Sequence, residues 1–412
     1  MESINNTNDI ESRVQRIISI GEEVIGGENI AKLITNKKEC IAYDGFEPSG
    51  RMHIAQGLLR AHNTNKFVES GVKFKFWVAD WFALMNLKLG GDLNRIQKAG
   101  KLMIETWKAC GMKLDAVDSD GKPMIEFIWS SEEINARSDE YWKLVLDIGT
   151  KFSLNRIKKC TQIMGRKEEA DNVELLLELN ESVNKLFADI ELESNSNANP
   201  HPQKAHILKL LNQLTQSAPQ ELAASQIFYP VMQCADVFFL RCDFLSLGLD
   251  QRKVNTLALE YCDKIKRKNK PVVVSHHMIM GLDGSDKMSK SNPDNTVFMD
   301  DSEADVKRKI TKAFCEPGNV DKNPLLDWAK HIVFPLVGHM VIPENLKYNE
   351  PEMRFESWDQ LASAFASGQV QPKGLKDSMC THIAQLLEPV RTHFATNKEA
   401  SDLLKQVKSY TK

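Results

Sequence analysis

No stretch of this chain combines the length and apolarity of a membrane span, and its first residues, Met1-Glu2-Ser3-Ile4-Asn5-Asn6, are polar. We therefore expect no transmembrane helix, signal peptide or transit peptide, and a cytoplasmic location. Positive charge is not in excess either, the formal net charge being −3. A global basic field is excluded, so a nucleic-acid partner has to be met by local patches. The eight cysteines (Cys40, Cys110, Cys160, Cys234, Cys242, Cys262, Cys315, Cys380) form no CxxC pair and no zinc spacing. They read as reduced, mostly buried thiols, and no metal ligands are expected. No Ser–His–Asp or Cys–His arrangement is convincingly placed for nucleophilic catalysis. What is present is ordinary for a globular chain: 42% apolar and 26% charged residues over 412 positions, enough for two or three domains.

The chain can be read around Ile41-Ala42-Tyr43-Asp44-Gly45-Phe46-Glu47-Pro48-Ser49-Gly50-Arg51-Met52-His53-Ile54-Ala55-Gln56-Gly57. A short apolar run enters a turn-rich segment, and from His53 the apolar residues Ile54, Leu58 and Leu59 recur at helical spacing. Strand, turn and helix start together present free backbone N–H groups and the positive end of a helix dipole, a place for an anion such as phosphate. Such units occur in every α/β protein, and a histidine at a helix start also serves as a cap or a surface residue. The segment alone leaves both readings open.

Around it, residues 1 to about 38 read as a helical extension with Ile10, Val14, Ile17, Ile18 and Val24 on one face. Strands are expected at 74–79, 124–129 and 271–278, with a helix at 92–110 and a helix cap at Ser130-Ser131-Glu132-Glu133. Alternating strands and helices predict a parallel α/β sheet whose ligands sit beyond the strand C-termini, where Tyr43-Asp44-Gly45 would lie. Residues 171–219 interrupt this pattern as an inserted helical hairpin with a low-complexity tip at Ser194–Pro202. Beyond about 303 the strand signals stop and a smaller helical domain is expected.

Two further segments carry chemistry. In Tyr229-Pro230-Val231-Met232-Gln233-Cys234-Ala235-Asp236, Pro230 suits a first helical position, and Tyr229, Gln233 and Asp236 project from one side. A buried carboxylate and amide need partners, either from an internal network or from a polar ligand. The segment Gly281–Ser291 packs Lys287, Lys290, three serines and two glycines into a cationic turn that could close over a triphosphate. The basic run Lys264–Lys270 reads as a solvated loop.

His53-Ile54-Ala55-Gln56 resembles the HIGH signature of class I aminoacyl-tRNA synthetases, and Lys287-Met288-Ser289-Lys290-Ser291 matches their KMSKS signature letter for letter. With Tyr43–Gly50, Tyr229–Asp236 and Gly248-Leu249-Asp250-Gln251-Arg252-Lys253, the chain resembles the tyrosyl-tRNA synthetase family of eukaryotic and archaeal type, over about 15–170 and from 220 onward. The resemblance implies an α/β, Rossmann-like parallel-sheet catalytic domain at 39–302, an all-helical anticodon-binding domain at 303–412, and a homodimer. It implies activation of L-tyrosine by ATP, with Mg2+ carried on the phosphates, followed by transfer to the terminal adenosine of tRNA(Tyr). Carried over by position, Tyr43 and Asp236 hold the substrate phenol, Tyr229, Gln233 and Gln251 its amino end, and Gly45 and Glu47 line the pocket. His53, Gly57, Gly248, Asp250, Lys287, Met288, Ser289 and Lys290 serve ATP, with His53, Gln56, Lys287 and Lys290 as the catalytic set. Arg252 and Lys253, next to the site, are candidates for the tRNA acceptor end, or else surface charges. The substrate carboxylate is itself the nucleophile, so positioning and charge stabilisation suffice.

There are departures. Gln56 replaces the second signature histidine and cannot carry charge. In Gln371-Pro372-Lys373-Gly374-Leu375-Lys376, Gly374 stands where the family often has an anticodon-reading aspartate. The alternatives are the sister enzyme for tryptophan, disfavoured by Asp236 and Tyr43, and a non-catalytic tyrosine- or RNA-binding relative, disfavoured by Lys287–Ser291.

Overall fold

The computed structural model describes residues 7–161, 223–288, 292–344 and 351–410, with a few isolated positions between 178 and 210. The expected hairpin at 171–219 and the residues Ser289, Lys290 and Ser291 lie outside the described residues, apart from those few positions.

Six strands form one sheet: β1 (Glu23–Ile25), β2 (Cys40–Phe46), β3 (Val72–Val78), β4 (Ile125–Trp129), β5 (Phe244–Gly248) and β6 (Val272–His276). Their spatial order is β1-β6-β5-β2-β3-β4. The five strands from β2 to β6 run parallel, and β1 alone is antiparallel, pairing Glu23 with Ser275 and Ile25 with Val273. Short, nearly continuous apolar runs are what a parallel sheet covered on both faces requires. β3 shows it directly, with every position except Lys75 buried.

The helices divide over the two faces. One core gathers Phe67, Phe74, Phe76 and Trp107 with much of the C-terminal region. In it Phe76, Phe127 and Trp107 contact one another pairwise, with centroids 5.1 Å (Phe76–Phe127), 4.8 Å (Phe76–Trp107) and 5.8 Å (Trp107–Phe127) apart. The other core packs the helices Ser138–Lys151, Ala224–Phe239 and Arg252–Lys264 behind Tyr43, Trp77 and Leu245. The chain order reverses between β2 and β5, and that crevice, beyond the strand C-termini, is where an open α/β sheet binds its ligand.

Four local expectations change. The N-terminal extension is not purely helical, because Glu23–Ile25 find free backbone groups along β6 and become an edge strand. The helix holding Pro230 begins at Ala224, so the proline lies inside it and leaves one backbone carbonyl without its usual donor. The serines after β4 do open a helix, Ser130–Ala136, but they bind Asp80 instead of capping it. Asp80, itself fully buried, accepts from the Ser130 and Ser131 hydroxyls at 2.7 and 2.6 Å and so ties the end of β3 to the exit of β4. Finally, the C-terminal region carries a two-stranded hairpin of β7 (Met340–Ile342) and β8 (Met353–Phe355) among its helices.

Candidate active site

The crevice between β2 and β5 opens into a cavity of about 740 Å³. Tyr43, from β2, is 1% exposed on its wall, and Asp236, from the helix Ala224–Phe239, is fully buried. The Tyr141 hydroxyl donates to Asp236 Oδ1 at 2.9 Å, while Asp236 Oδ2 has no partner among the described residues. Burial pushes the Asp236 carboxyl far above the usual carboxylate range, opposed by Tyr141 and by the Trp77 indole N–H beside it. Burial, reinforced by Asp236, also keeps the Tyr43 and Tyr141 phenols neutral. Gly45 is obligatory here: a methyl group at that position would stand 2.9 Å from Tyr43 Oη and 3.4 Å from Cζ.

Toward the mouth, Tyr229 and Gln233 extend the Asp236 row along one helix face. Tyr229 Oη donates to Glu47 Oε1 at 2.6 Å, and Asn86 and Lys88 hold the same carboxylate. The Tyr229 proton is thereby committed, which leaves its oxygen as an acceptor. Gln233 Nε2 donates to Gln251 Oε1 at 3.2 Å, and Gln233 Oε1 is buried without a donor among the described residues.

The other half of the cavity is lined by His53, Gln56, Gly248, Asp250, Lys287 and Met288. The expected helix at His53 starts with a wide π-helical turn, Ala55–Leu59, before the α-helix Arg60–Glu69. His53 Nδ1 accepts from the Gln56 N–H at 3.3 Å, and Gln56 holds the Trp107 indole N–H through its own carbonyl at 3.0 Å. Gly57 is not on the cavity wall, and its missing side chain makes room for Met299, whose Cγ would lie 2.7 Å from a methyl group. Lys287 Nζ is 3.3 Å from Asp250 Oδ2, so the cationic loop already reaches over the pocket. The Met288 N–H donates to the Ile279 carbonyl at 2.8 Å, anchoring the loop to the end of β6.

Two polar residues of this half, Arg60 and His276, escaped the sequence reading, and Asp44 was placed at the ligand end of β2 without a role. Asp44 is 1% exposed and paired with Arg60 Nε at 2.7 Å. His276 closes β6 beside them. Asp44 Oδ1, Arg60 Nη1 and His276 Nε2 are all buried without partners among the described residues. Burial raises the Asp44 carboxyl to about 7, opposed by Arg60 and assisted by Asp250, and burial lowers His276 to about 4. An acidic residue inside the otherwise apolar β2 was the available signal. For Tyr141 there was none, because only folding brings its helix to Asp236.

Arg252 and Lys253 do not line the cavity. Arg252 forks onto Glu23 at 2.9 and 2.8 Å, half exposed. Gly374 lies in the first turn of the helix Pro372–Thr396, where a methyl group would press within 3.0 Å of Ile342.

A family model described as class I tRNA synthetases (W and Y) matches residues 35–179 and 196–388. The chain is 43% identical to the cytoplasmic tyrosine–tRNA ligase 1 of Arabidopsis thaliana over 98% of its own length and 89% of that protein. The chain belongs to the class I tyrosine–tRNA ligases. It superposes on a Leishmania major tyrosyl-tRNA synthetase bound to tyrosinol with a TM-score of 0.79 and 40% identity, covering 100% of this chain and 61% of that one. On the Pyrococcus horikoshii synthetase complexed with L-tyrosine the TM-score is 0.76 at 27% identity, covering 96% and 99% of the two chains. The chain thus spans less than two thirds of the Leishmania chain and nearly all of the archaeal one. These relatives carry the tyrosine name, whereas the family model spans both tyrosine and tryptophan enzymes. ATP is the family's co-substrate, and among the described residues no helix is long and apolar enough to cross a membrane.

Proposed function

We propose that this cavity makes tyrosyl-adenylate from L-tyrosine and ATP and passes the tyrosyl group to the terminal adenosine of tRNA(Tyr). The observation that carries the reading is the set of buried polar atoms left open on one wall. Asp236 Oδ2, at the apolar end beside Tyr43, meets the substrate phenol. Tyr229 Oη and Gln233 Oε1, both acceptors without a remaining proton to give, meet its ammonium group, and Gln251 holds Gln233 in that orientation. A buried polar group without a partner costs about 1–3 kcal/mol, so the pocket is built for a ligand that repairs it.

On the nucleotide side, Asp250 and Gly248 take the ribose, and His53 and Gln56 lie near the phosphates. Lys287 leaves Asp250 for the triphosphate, whose magnesium ion comes with it, and Ser289 and Lys290 continue the same loop. Charge on the departing pyrophosphate is then met by prearranged cations. Arg60 Nη1 adds a donor that the motifs do not name, and His276, whose Nδ1 proton faces the His277 carbonyl at 3.2 Å, presents Nε2 as an acceptor. Arg252 and Lys253 serve the tRNA acceptor end. An exposed ion pair such as Arg252–Glu23 is worth about 0–1 kcal/mol, so a phosphate can compete for it. The enzyme acts as a cytoplasmic homodimer through the apolar groove of Trp81, Leu84, Met85, Trp142, Phe228 and Met232.

Tyrosine-dependent exchange of labelled pyrophosphate into ATP tests the first step directly. Exchange with tyrosine and none with tryptophan is expected. Tyrosine binding without any exchange would replace the enzyme with a binder.

A further inference from the structure

Arg51, Asp300, Asp301 and Lys309 gather their charges between the turn that ends in His53 and the segment that follows the Lys287–Ser291 loop. Their side chains are 21%, 7%, 4% and 4% exposed, so each charge needs a partner. None of the four lines the cavity. Arg51 Nε donates to Asp300 Oδ1 at 2.9 Å and Arg51 Nη2 to Asp301 Oδ1 at 2.7 Å, so one guanidinium spans two neighbouring carboxylates. Asp301 Oδ2 accepts from Lys309 Nζ at 2.6 Å and from the Phe298 backbone N–H at 2.9 Å. Lys309 also donates to the Thr296 carbonyl at 2.8 Å. Both cations lie over the Phe298 ring, 4.1 and 4.9 Å from its centre. From the solvent side Lys408, in the C-terminal helix Lys398–Lys408, reaches Asp300 Oδ2 at 2.7 Å.

The cluster holds a short piece of antiparallel backbone. Phe298 is bridged to His53, the Ile54 N–H donates to the Val297 carbonyl at 3.0 Å, and the Met299 N–H donates to the Met52 carbonyl at 2.9 Å. So short a pairing does not fix its own register, and a slip of one residue turns its side chains to the opposite face. Arg51 precedes His53 on one side of this pairing, and Asp300 and Asp301 follow Phe298 on the other. The guanidinium fork therefore locks the register through side chains. Met299, filling the space left at Gly57, adds a packing stop.

We propose that Arg51 is a positioning residue for adenylate formation: through Asp300 and Asp301 it holds His53 in the register that aims it at the phosphates of ATP. This rests on the reading that His53 serves those phosphates. A fork suits the task, because its planar donors meet two carboxylates in a fixed geometry, which the point charge of an ammonium group does not reproduce. Lys408 lands on the same carboxylate pair, so the C-terminal helix is tied to the segment that sets His53.

Pyrophosphate exchange and equilibrium dialysis of tyrosine, on the full chain carrying Arg51→Lys, Asp301→Asn or both, test this. Arg51→Lys keeps the charge and loses the fork. Asp301→Asn places an amide nitrogen where Arg51, Lys309 and the Phe298 N–H are all donors. Each single variant is expected to lower kcat by about 10- to 100-fold, the cost of displacing a group at the reacting centre by about 1 Å, with the dissociation constant for tyrosine held within about twofold. The double variant is expected to lose no more than the worse single one, because both changes break one unit. A wild-type kcat in Asp301→Asn would overturn the proposal, and beside a slow Arg51→Lys it would put Arg51 on the substrate itself. Losses that multiply in the double variant would also overturn it, as would tyrosine affinity falling together with kcat, the mark of a general structural defect. A wild-type chain that binds tyrosine but catalyses no exchange would instead remove the enzyme reading beneath the proposal.

Discussion

Replacing Asp236 with alanine separates the pocket's grip on the phenol from everything else it does. The side chain is fully buried, one oxygen held by Tyr141 at 2.9 Å and the other open to the cavity. In the variant the tyrosine hydroxyl enters a dry site with a partner missing, at a cost of about 1–3 kcal/mol. That corresponds to roughly a 5- to 150-fold loss in kcat/KM for tyrosine. Phenylalanine has no hydroxyl to strand, so its slow activation loses only what the enlarged pocket costs both amino acids. The tyrosine-to-phenylalanine ratio therefore falls by the 5- to 150-fold factor, read from pyrophosphate exchange with each amino acid. Tyr141 loses its carboxylate partner but keeps the Met232 carbonyl at 3.3 Å, so a loss of stability of about 0.5–1.5 kcal/mol accompanies the change and is measured separately by denaturant unfolding. An equal loss on both amino acids would refute the assignment and leave Asp236 a structural residue.

Further predictions concern other parts of the site. Gly45→Ala puts a methyl group against the buried Tyr43 hydroxyl, so KM for tyrosine rises by at least tenfold while KM for ATP holds; a crystal of the variant with Tyr43 unmoved would contradict this. Lys287→Ala lowers kcat for adenylate formation by about 10²-fold, with tyrosine affinity measured by equilibrium dialysis unchanged. Arg252→Ala weakens tRNA charging and leaves pyrophosphate exchange intact; equal loss in both removes it from the tRNA face. Asp44 has a folded value of about 7, raised by burial above its ordinary 3.8. Its contribution to stability is complete below about pH 4 and is lost as pH rises through about 7, on the order of 4 kcal/mol. Unfolding free energy of wild type relative to Asp44→Asn falls over that window and is flat above it; a rise would reverse the sign of the argument.

How much was legible beforehand follows from locality. β2, the turn after it and the cationic loop are encoded by contiguous residues, and the buried runs of β3, β4 and β6 are hydrophobic enough to read as strands, whereas β5 (Phe244–Gly248) was not read as one. Tyr229, Gln233 and Asp236 share a helix face, so their convergence followed from spacing even though the helix begins six residues before Pro230. The short strands were hidden because three residues carry no period: β1 exists only because β6 offers it an edge. Tyr141, Arg60 and His276 were invisible for a related reason, since each owes its place to a contact with a residue far away in sequence. The reason for Gly57 was also tertiary, namely Met299 packed against it from 242 positions downstream.

A crystal structure of the chain soaked with L-tyrosine would measure the central claim most directly. The account predicts the phenol oxygen within hydrogen-bonding distance of Asp236 Oδ2 and Tyr43, with the amino nitrogen against Tyr229 Oη and Gln233 Oε1. A ring oxygen pointing away from positions 43 and 236 would contradict it.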